Sequence, residues 1–122
     1  MYFISMEQVI SIDAEERGTY YYFKFTGVLS AQTVIDVRHS LEKAIETGAN
    51  KLGIDLSAIT HIDSTGLGLL INLSKKLAKE GGQCIVASPS SAVMLVMKAT
   101  NTDRVLNIAQ TVELMESQFD TL

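Results

Sequence analysis

The chain has 122 residues, of which 47% are hydrophobic, and a formal net charge of −4. This length and composition predict one globular domain covering residues 1–122, and 10 basic against 14 acidic residues exclude a basic surface for direct nucleic-acid binding. No stretch approaches the roughly 20 apolar residues of a membrane span, and the N-terminus lacks the basic start of a signal peptide, so no membrane association is expected.

The first part of the chain predicts a β-hairpin. Residues 8–13 alternate weakly as a strand, residues 14–18 read as a charged turn that ends in glycine, and residues 20–26 have strong β propensity. Alternation along the second strand divides its side chains between a core face and a half-exposed face. The core face holds Tyr21, Phe23 and Phe25, and the half-exposed face holds Tyr20, Tyr22 and Lys24.

A helix is predicted next. Gly27 is expected to end the strand, and Ser30 is the expected N-cap of a helix over residues 31–47 that ends at Gly48. The apolar residues of this helix repeat at helical spacing and predict one buried stripe. The stripe consists of Val34, Val37, Leu41, Ala44 and Ile45.

The middle of the chain predicts a strand, a helix and a second strand. Residues 51–56 form the first strand, residues 66–80 the helix, and residues 83–87 the second strand. Ser64 or Thr65 is the expected N-cap of this helix, and Gly66 is expected to permit a tight entry.

The last third predicts a helix opened by residues 88–90, a left-handed residue at Asn101, a weak strand over residues 105–109 and a helix over residues 111–119. Residues 92–97 are six apolar residues in a row, so one or two of them should be exposed. Two interpretations stay open for this helix: a deeply packed core helix, or a contact surface for a partner or a homodimer.

The element order is β-β-α-β-α-β-α-(β)-α. It predicts an α/β fold with a mixed sheet of four to five strands covered by about four helices, parallel after the opening hairpin. Functional groups in such sheets gather at the carboxyl ends of strands, and the polar residues Asp63, Ser64 and Thr65 lie at such an end.

The single cysteine and the two histidines predict structural roles. Cys84 lies in an apolar strand and is expected to be a buried, reduced thiol in a cytoplasmic protein. His39 and His61 are expected to face solvent or lie in loops. One cysteine, two histidines and scattered carboxylates supply no metal site, and no cofactor is expected.

The residues around Ser64 match no catalytic motif. A nucleophile elbow needs a glycine where Ile62 stands, and a dinucleotide fingerprint needs one where Ile71 stands. His61 is three residues from Ser64, but no further residue supports a catalytic triad. Ser64 is therefore either part of a helix cap or a hydroxyl that is modified, because a phosphate at a helix N-terminus is accommodated by free N–H groups and the helix dipole.

The stretch from Leu56 to Gly68, with the string Asp63-Ser64-Thr65-Gly66-Leu67-Gly68, resembles the signature of STAS domains, specifically bacterial anti-sigma factor antagonists. The likeness covers nearly the whole chain. Weaker matches are the strand end at residues 25–29, the turn at residues 81–83 and the segment over residues 99–105.

This resemblance implies a switch rather than an enzyme. The unphosphorylated antagonist binds an anti-sigma factor that is also a serine kinase and so releases a sigma factor, and a PP2C-type phosphatase reverses the phosphorylation. The resemblance assigns Ser64 as the phosphorylated residue, and ATP and magnesium belong to the kinase. It places the partner-binding surface at Asp63, Ser64, Thr65, Gly66, Leu67 and Gly68.

The sequence departs from the family in one place. Many phosphorylated antagonists carry two acidic residues after the glycine of the first strand–helix junction, and this chain has Val28 and Ser30 there. Two alternatives stay open. One is a STAS subunit of a transporter or lipid-trafficking complex in which Ser64 is only a cap, and the other is a small enzyme or nucleotide binder that uses Ser64.

Overall fold

The predicted alternation of strands and helices is present in the computed structural model, which describes residues 9–120. The elements are β1 Ile10–Arg17, β2 Tyr20–Leu29, α1 Val34–Glu46, β3 Lys51–Ile62, α2 Ser64–Lys79, β4 Gln83–Ala87, α3 Ser91–Ala99, a 3₁₀ turn Thr102–Arg104, β5 Ile108–Ala109 and α4 Val112–Asp120. The predicted element order is confirmed.

The strands form one mixed sheet in the order β1-β2-β3-β4-β5. β1 is antiparallel to β2, whereas β2 and β3, β3 and β4, and β4 and β5 pair in parallel. The predicted mixed sheet and its four helices are confirmed. The carboxyl ends of β2 and β3 therefore lie at the same edge, where Leu29 pairs with Ile62.

The two faces of the sheet are covered unequally. In β4 the side chains alternate, so that Cys84 and Val86 join the cluster packed under α1, α2 and α3, while Ile85 and Ala87 pack under α4. Tyr20 was expected on a half-exposed face, and this is wrong: it is buried because the Phe119 ring of α4 stacks on it at 4.6 Å between ring centroids.

The first strand is longer than the sequence predicted. The expected start at residue 8 lies outside the described residues. The expected charged turn is instead the second half of β1, which runs to Arg17, and Gly18 and Thr19 make the turn. Charged residues are tolerated there because β1 is an edge strand whose side chains are largely exposed.

Gly27 does not end β2, contrary to expectation. The strand continues to Leu29 through an irregularity at Gly27, whose φ is 119°. A β-carbon there would lie 2.3 Å from the carbonyl oxygen of Val9, so glycine is required by the close approach of β1 as well as by its backbone angle. β3 also extends beyond the expected end at residue 56, to Ile62.

α1 begins three residues later than expected. Its N-cap is Thr33, not Ser30, because the carbonyl of Ser30 accepts the N–H groups of Thr33 and Val34 and closes a turn before the helix. The predicted stripe is confirmed: four of its five residues are buried and Ile45 is partly buried. The predicted end of the helix at Gly48 is also confirmed, since Thr47 is the C-cap and Gly48 follows it with a positive φ of 101°.

The C-terminal third agrees with the sequence in outline. Asn101 is left-handed, with φ 58°, as expected. The final strand is only Ile108–Ala109, shorter than predicted, because the N–H groups of Val105 and Leu106 donate to the carbonyl of Thr102 in the preceding 3₁₀ turn. On α3, Val93 and Met97 are fully buried, whereas Leu95 is 72% exposed, which confirms that part of the apolar run faces solvent. The homodimer that this surface could form stays a prediction.

Cys84 is buried in the sheet, as expected. Burial raises the pKa of its thiol to about 11, and the nearby Ser74 hydroxyl opposes this in part. The thiol is therefore protonated at neutral pH and has the character of a packing side chain.

Candidate functional site

The candidate site lies where β3 passes into α2 at the carboxyl edge of the sheet. The N–H of Asp63 donates to the carbonyl of Leu29, the last residue of β2, at 3.2 Å. This bond continues the pairing of β2 with β3 by one residue. The polar residues at the start of α2 are therefore fixed next to the loop that joins β2 to α1, as the sheet topology predicts.

Asp63 is the N-cap of α2, and the expectation that Ser64 or Thr65 would cap the helix is wrong. Its Oδ1 accepts the N–H of Gly66 at 2.9 Å, which is the usual bond from a cap to the third helical residue. An aspartate one residue earlier satisfies this N–H, so Ser64 and Thr65 become the first two residues of the helix.

The second carboxylate oxygen of Asp63 contacts another part of the chain. Oδ2 accepts the N–H of Ala31 at 3.0 Å, across a separation of 32 residues. Desolvation alone would raise the pKa of Asp63, but the backbone N–H groups of Gly66 and Ala31 outweigh it and hold the pKa below its ordinary value. The carboxylate is therefore ionised at neutral pH and already engaged by two donors.

The hydroxyl groups of Ser64 and Thr65 take no part in these bonds. Both residues are exposed. Neither hydroxyl has a hydrogen-bond partner among residues 9–120. A group added to the Ser64 oxygen would consequently meet solvent and the N–H groups of the first helical turn, and the esterified oxygen itself would give up no hydrogen bond.

Gly66 lets α2 begin close against the end of β2, as the sequence predicted. A β-carbon at Gly66 would lie 2.6 Å from the carbonyl oxygen of Leu29, 2.9 Å from its side chain and 3.1 Å from that of Ile62. Backbone cannot move aside as a flexible side chain can. The glycine is therefore required by packing, although its own conformation is an ordinary helical one.

The six residues expected to bind a partner fall into two groups. Ser64, Thr65 and the partly exposed Gly68 lie on the surface, and nothing would lie within 4 Å of a β-carbon at Gly68. Asp63 caps the helix, and Gly66 and Leu67 are buried, with Leu67 in the main core. The exposed patch available for contact is therefore narrower than the motif, because half of its residues serve the cap and the packing.

The loop between β2 and α1, residues 30–33, is the neighbour that the sequence did not assign to the site. Ser30 is buried and its hydroxyl contacts the Gln32 side chain, while Ala31 and Gln32 are exposed. Ala31 contributes through its backbone N–H, so its side chain gave no signal in the sequence. The loop presents no charge at this edge, in line with the missing acidic residues of the motif.

The two histidines are exposed, as expected. The Nδ1 of His61 lies 3.2 Å from the hydroxyl of its neighbour Thr60. In the part of the chain that the structure describes, no group of three His, Cys, Asp or Glu side chains could hold a metal ion, and no helix is long and apolar enough to cross a membrane.

Residues 11–115 match the model of the STAS domain family. A Thermotoga maritima protein, provisionally named an anti-sigma factor antagonist, is 36% identical over 76 residues, which are 62% of this chain and 67% of that protein. The anti-sigma-B factor antagonist of Listeria monocytogenes is 28% identical over 100 residues, 81% of this chain and 88% of its own. These names describe regulatory antagonists, in agreement with the expected non-enzymatic role.

The fold is shared with the anti-sigma factor antagonist SpoIIAA. Its unphosphorylated form has a TM-score of 0.76 at 21% identity, covering 92% of this chain and 98% of that chain. The phosphorylated form of SpoIIAA from Bacillus has a TM-score of 0.67 at 21% identity, covering 88% and 98%. The resemblance and the fold class stated from the sequence are confirmed by these matches.

Proposed function

The chain belongs to the STAS domain family, and on that premise we propose that it is a cytoplasmic anti-sigma factor antagonist whose partner binding is switched by phosphorylation of Ser64. The unphosphorylated form binds an anti-sigma factor that is also a serine kinase, and a PP2C-type phosphatase restores that form. The names of the relatives support the antagonist role. The observation that carries the switch is the exposed Ser64 hydroxyl on a helix already capped by Asp63.

The division of labour between Asp63 and Ser64 makes the modification compatible with the fold. The cap bond uses the carboxylate of Asp63, so the Ser64 oxygen itself gives up no hydrogen bond of α2 when it is esterified. A phosphate adds about −1.5 to −2 charges at neutral pH. The N–H groups and positive dipole end of the first turn accommodate that charge.

The same phosphate would disrupt a docked partner. Ser64 and Thr65 are exposed, and Gly68 leaves open space on the following turn, so a partner can approach the start of α2 closely. A dianionic group placed in that contact must be desolvated or excluded, which costs affinity when the partner offers no matching cation. Binding is switched off while the domain stays folded.

The test uses phosphoserine incorporated at position 64 during translation, which needs no kinase. We expect the unmodified protein and Ser64→Ala to bind one anti-sigma factor kinase purified from the same organism, and the phosphoserine form to bind it roughly 100-fold more weakly. Phosphoserine at Ser91, the exposed first residue of α3, is the matched control and should leave binding unchanged.

Two results would contradict the proposal. If the unmodified and phosphoserine-64 proteins bind the kinase equally, phosphorylation does not switch binding, and the result favours a STAS subunit of another complex. If no anti-sigma factor kinase of the organism binds the unmodified protein or phosphorylates Ser64, the proposed antagonist role is contradicted. In both cases the fold would remain as described.

A further inference from the structure

We propose that the Asp63 carboxylate is a positioning group that ties the loop of residues 30–33 to the start of α2, and that phosphate on Ser64 displaces this carboxylate and releases the loop. The inference rests on the proposed function, since it concerns the same serine. It adds a second segment to the switch. The partner would then recognise the state of Ser64 through the released loop as well as through the phosphate itself.

The geometry that carries the inference is a bridge made by one side chain. Oδ1 of Asp63 binds the N–H of Gly66 within α2, and Oδ2 binds the N–H of Ala31 in the loop. The two donors belong to different segments of the chain, so any movement of the carboxylate changes both contacts together.

The other hydrogen bonds of the loop are mostly local. The Thr33 hydroxyl donates to the carbonyl of Val28 at 2.7 Å and accepts the N–H of Ser30 at 3.0 Å, and the N–H of Gln32 donates to the Ser30 hydroxyl at 3.3 Å. These bonds lie within the loop or join it to the end of β2. The bond from Ala31 to Asp63 fastens the loop to the start of α2.

Phosphate on Ser64 acts against this bridge in two ways. Its oxygens accept N–H groups of the first helical turn, and the N–H of Gly66 in that turn is the donor that Oδ1 of Asp63 now occupies. The phosphate also places a second anion on the residue next to Asp63, and the two negative charges repel each other. The N–H of Ala31 is exposed and can donate to water instead, so losing its bond to Asp63 costs little free energy.

Amide hydrogen exchange measured by NMR on the full chain tests the relay. In the phosphoserine-64 protein we expect the Ala31 amide to exchange at least roughly tenfold faster, the factor expected for losing a hydrogen bond to an ionised acceptor. The Gly66 amide should stay protected, because a phosphate oxygen replaces the carboxylate. Phosphoserine at Ser91 should leave the exchange of Ala31 unchanged.

The variant Asp63→Asn provides a second test, because asparagine keeps one acceptor oxygen and gains a donor. Its Gly66 amide should remain protected and its Ala31 amide should already exchange fast, so phosphoserine at position 64 should add no further change at Ala31. Circular dichroism checks that the variant is folded.

The relay is overturned if Ala31 exchanges within about twofold of the unmodified rate after phosphorylation, a factor smaller than one lost hydrogen bond produces. If phosphorylation still releases the partner in that case, the proposed function stands without the relay. If Ala31 is released but cells never phosphorylate Ser64, the proposed function fails and the coupling remains a property of the fold.

Discussion

The first turns of α2 and α3 share a side-chain cap and an exposed first serine but have different surroundings. Each helix follows a capping side chain, Asp63 in α2 and Ser90 in α3, and each starts with an exposed serine, Ser64 and Ser91. Each cap also makes a second bond outside its helix. Asp63 accepts the N–H of Ala31 in a loop, whereas Ser90 donates to the carbonyl of Ile59 in β3 at 2.7 Å.

The difference between the two turns lies in charge and in the third helical residue. The α2 cap is an ionised carboxylate, and its helix continues with Gly66 because Leu29 leaves no room for a β-carbon. The α3 cap is a neutral hydroxyl, and its helix continues with Val93, which is fully buried. The α3 turn therefore resembles an ordinary structural cap. The α2 turn combines a tight packing contact, a charge and an exposed hydroxyl, a combination that structural capping alone does not need.

The largest effect is expected from Gly66→Ala. Its β-carbon would meet the backbone of Leu29 at 2.6 Å, and such overpacking costs about 1–3 kcal/mol of unfolding free energy. Gly68→Ala is the matched control, because its β-carbon would meet nothing within 4 Å and a helical alanine gains up to about 1 kcal/mol over glycine. Urea unfolding of both variants measures the difference. Equal destabilisation would show that the start of α2 is not tightly packed.

The two caps should differ in their response to pH. Asp63→Ala and Ser90→Ala each remove a cap bond worth about 1 kcal/mol at neutral pH. The folded-state pKa of Asp63 lies below its ordinary value, so its contribution is present above the unfolded pKa, near 4, and is lost as pH falls through the folded pKa.

The loss of unfolding free energy caused by Asp63→Ala should therefore become smaller between pH 7 and pH 2.5. The loss caused by Ser90→Ala should stay constant, apart from pH effects that both variants share. Unfolding curves at several pH values give the comparison. A cost of Asp63→Ala that does not change over this range would contradict an ionised cap.

Acidic substitutions at the two exposed serines should affect stability little. Ser64→Glu and Ser91→Glu each place a negative charge in the first helical turn, and the free energy of unfolding should change by about 0.5 kcal/mol or less. Binding to the anti-sigma factor should weaken for Ser64→Glu alone. Equal loss of binding for both variants would indicate that charge near this edge of the sheet is disruptive wherever it is placed.

The smallest effect on stability is expected from Leu95→Lys on α3. The side chain is 72% exposed, so the substitution removes little buried apolar area. The free energy of unfolding should therefore change by less than about 0.5 kcal/mol. Sedimentation velocity compares the molecular masses of the two proteins. If α3 forms a homodimer contact, the interpretation that the sequence left open, the variant should dissociate to monomers, and equal masses for variant and parent would exclude Leu95 from any dimer contact.

The sequence predicted best what depends on local patterns. The element order, the strand at residues 83–87, the buried stripe of α1 and the left-handed Gly48 and Asn101 follow from periodicity and from the backbone angles that single residues favour. Element ends were predicted less well where tertiary contacts decide them. β2 continues through Gly27 because β1 lies against it, and β3 continues to Ile62 because it pairs with that extension.

The site was located from the sequence but its internal roles were not. The pattern around Ser64 identified the correct turn, and it assigned the cap to the hydroxyls because they stand beside the apolar helix. β3 ends at Ile62 and α2 begins at Ser64, so Asp63 between them is the cap and the hydroxyls are not needed for capping. Ala31 could not be predicted at all, since it contributes only a backbone N–H that tertiary structure brings to Asp63.

The most direct test of the switch is the intact mass of the protein purified from its native cells, with the site mapped by fragmentation, beside a Ser64→Ala strain. We predict a fraction of the protein carrying one phosphate on Ser64 and none in the variant. A protein that carries no phosphate in any growth condition, or carries it on another residue, would contradict a switch at Ser64.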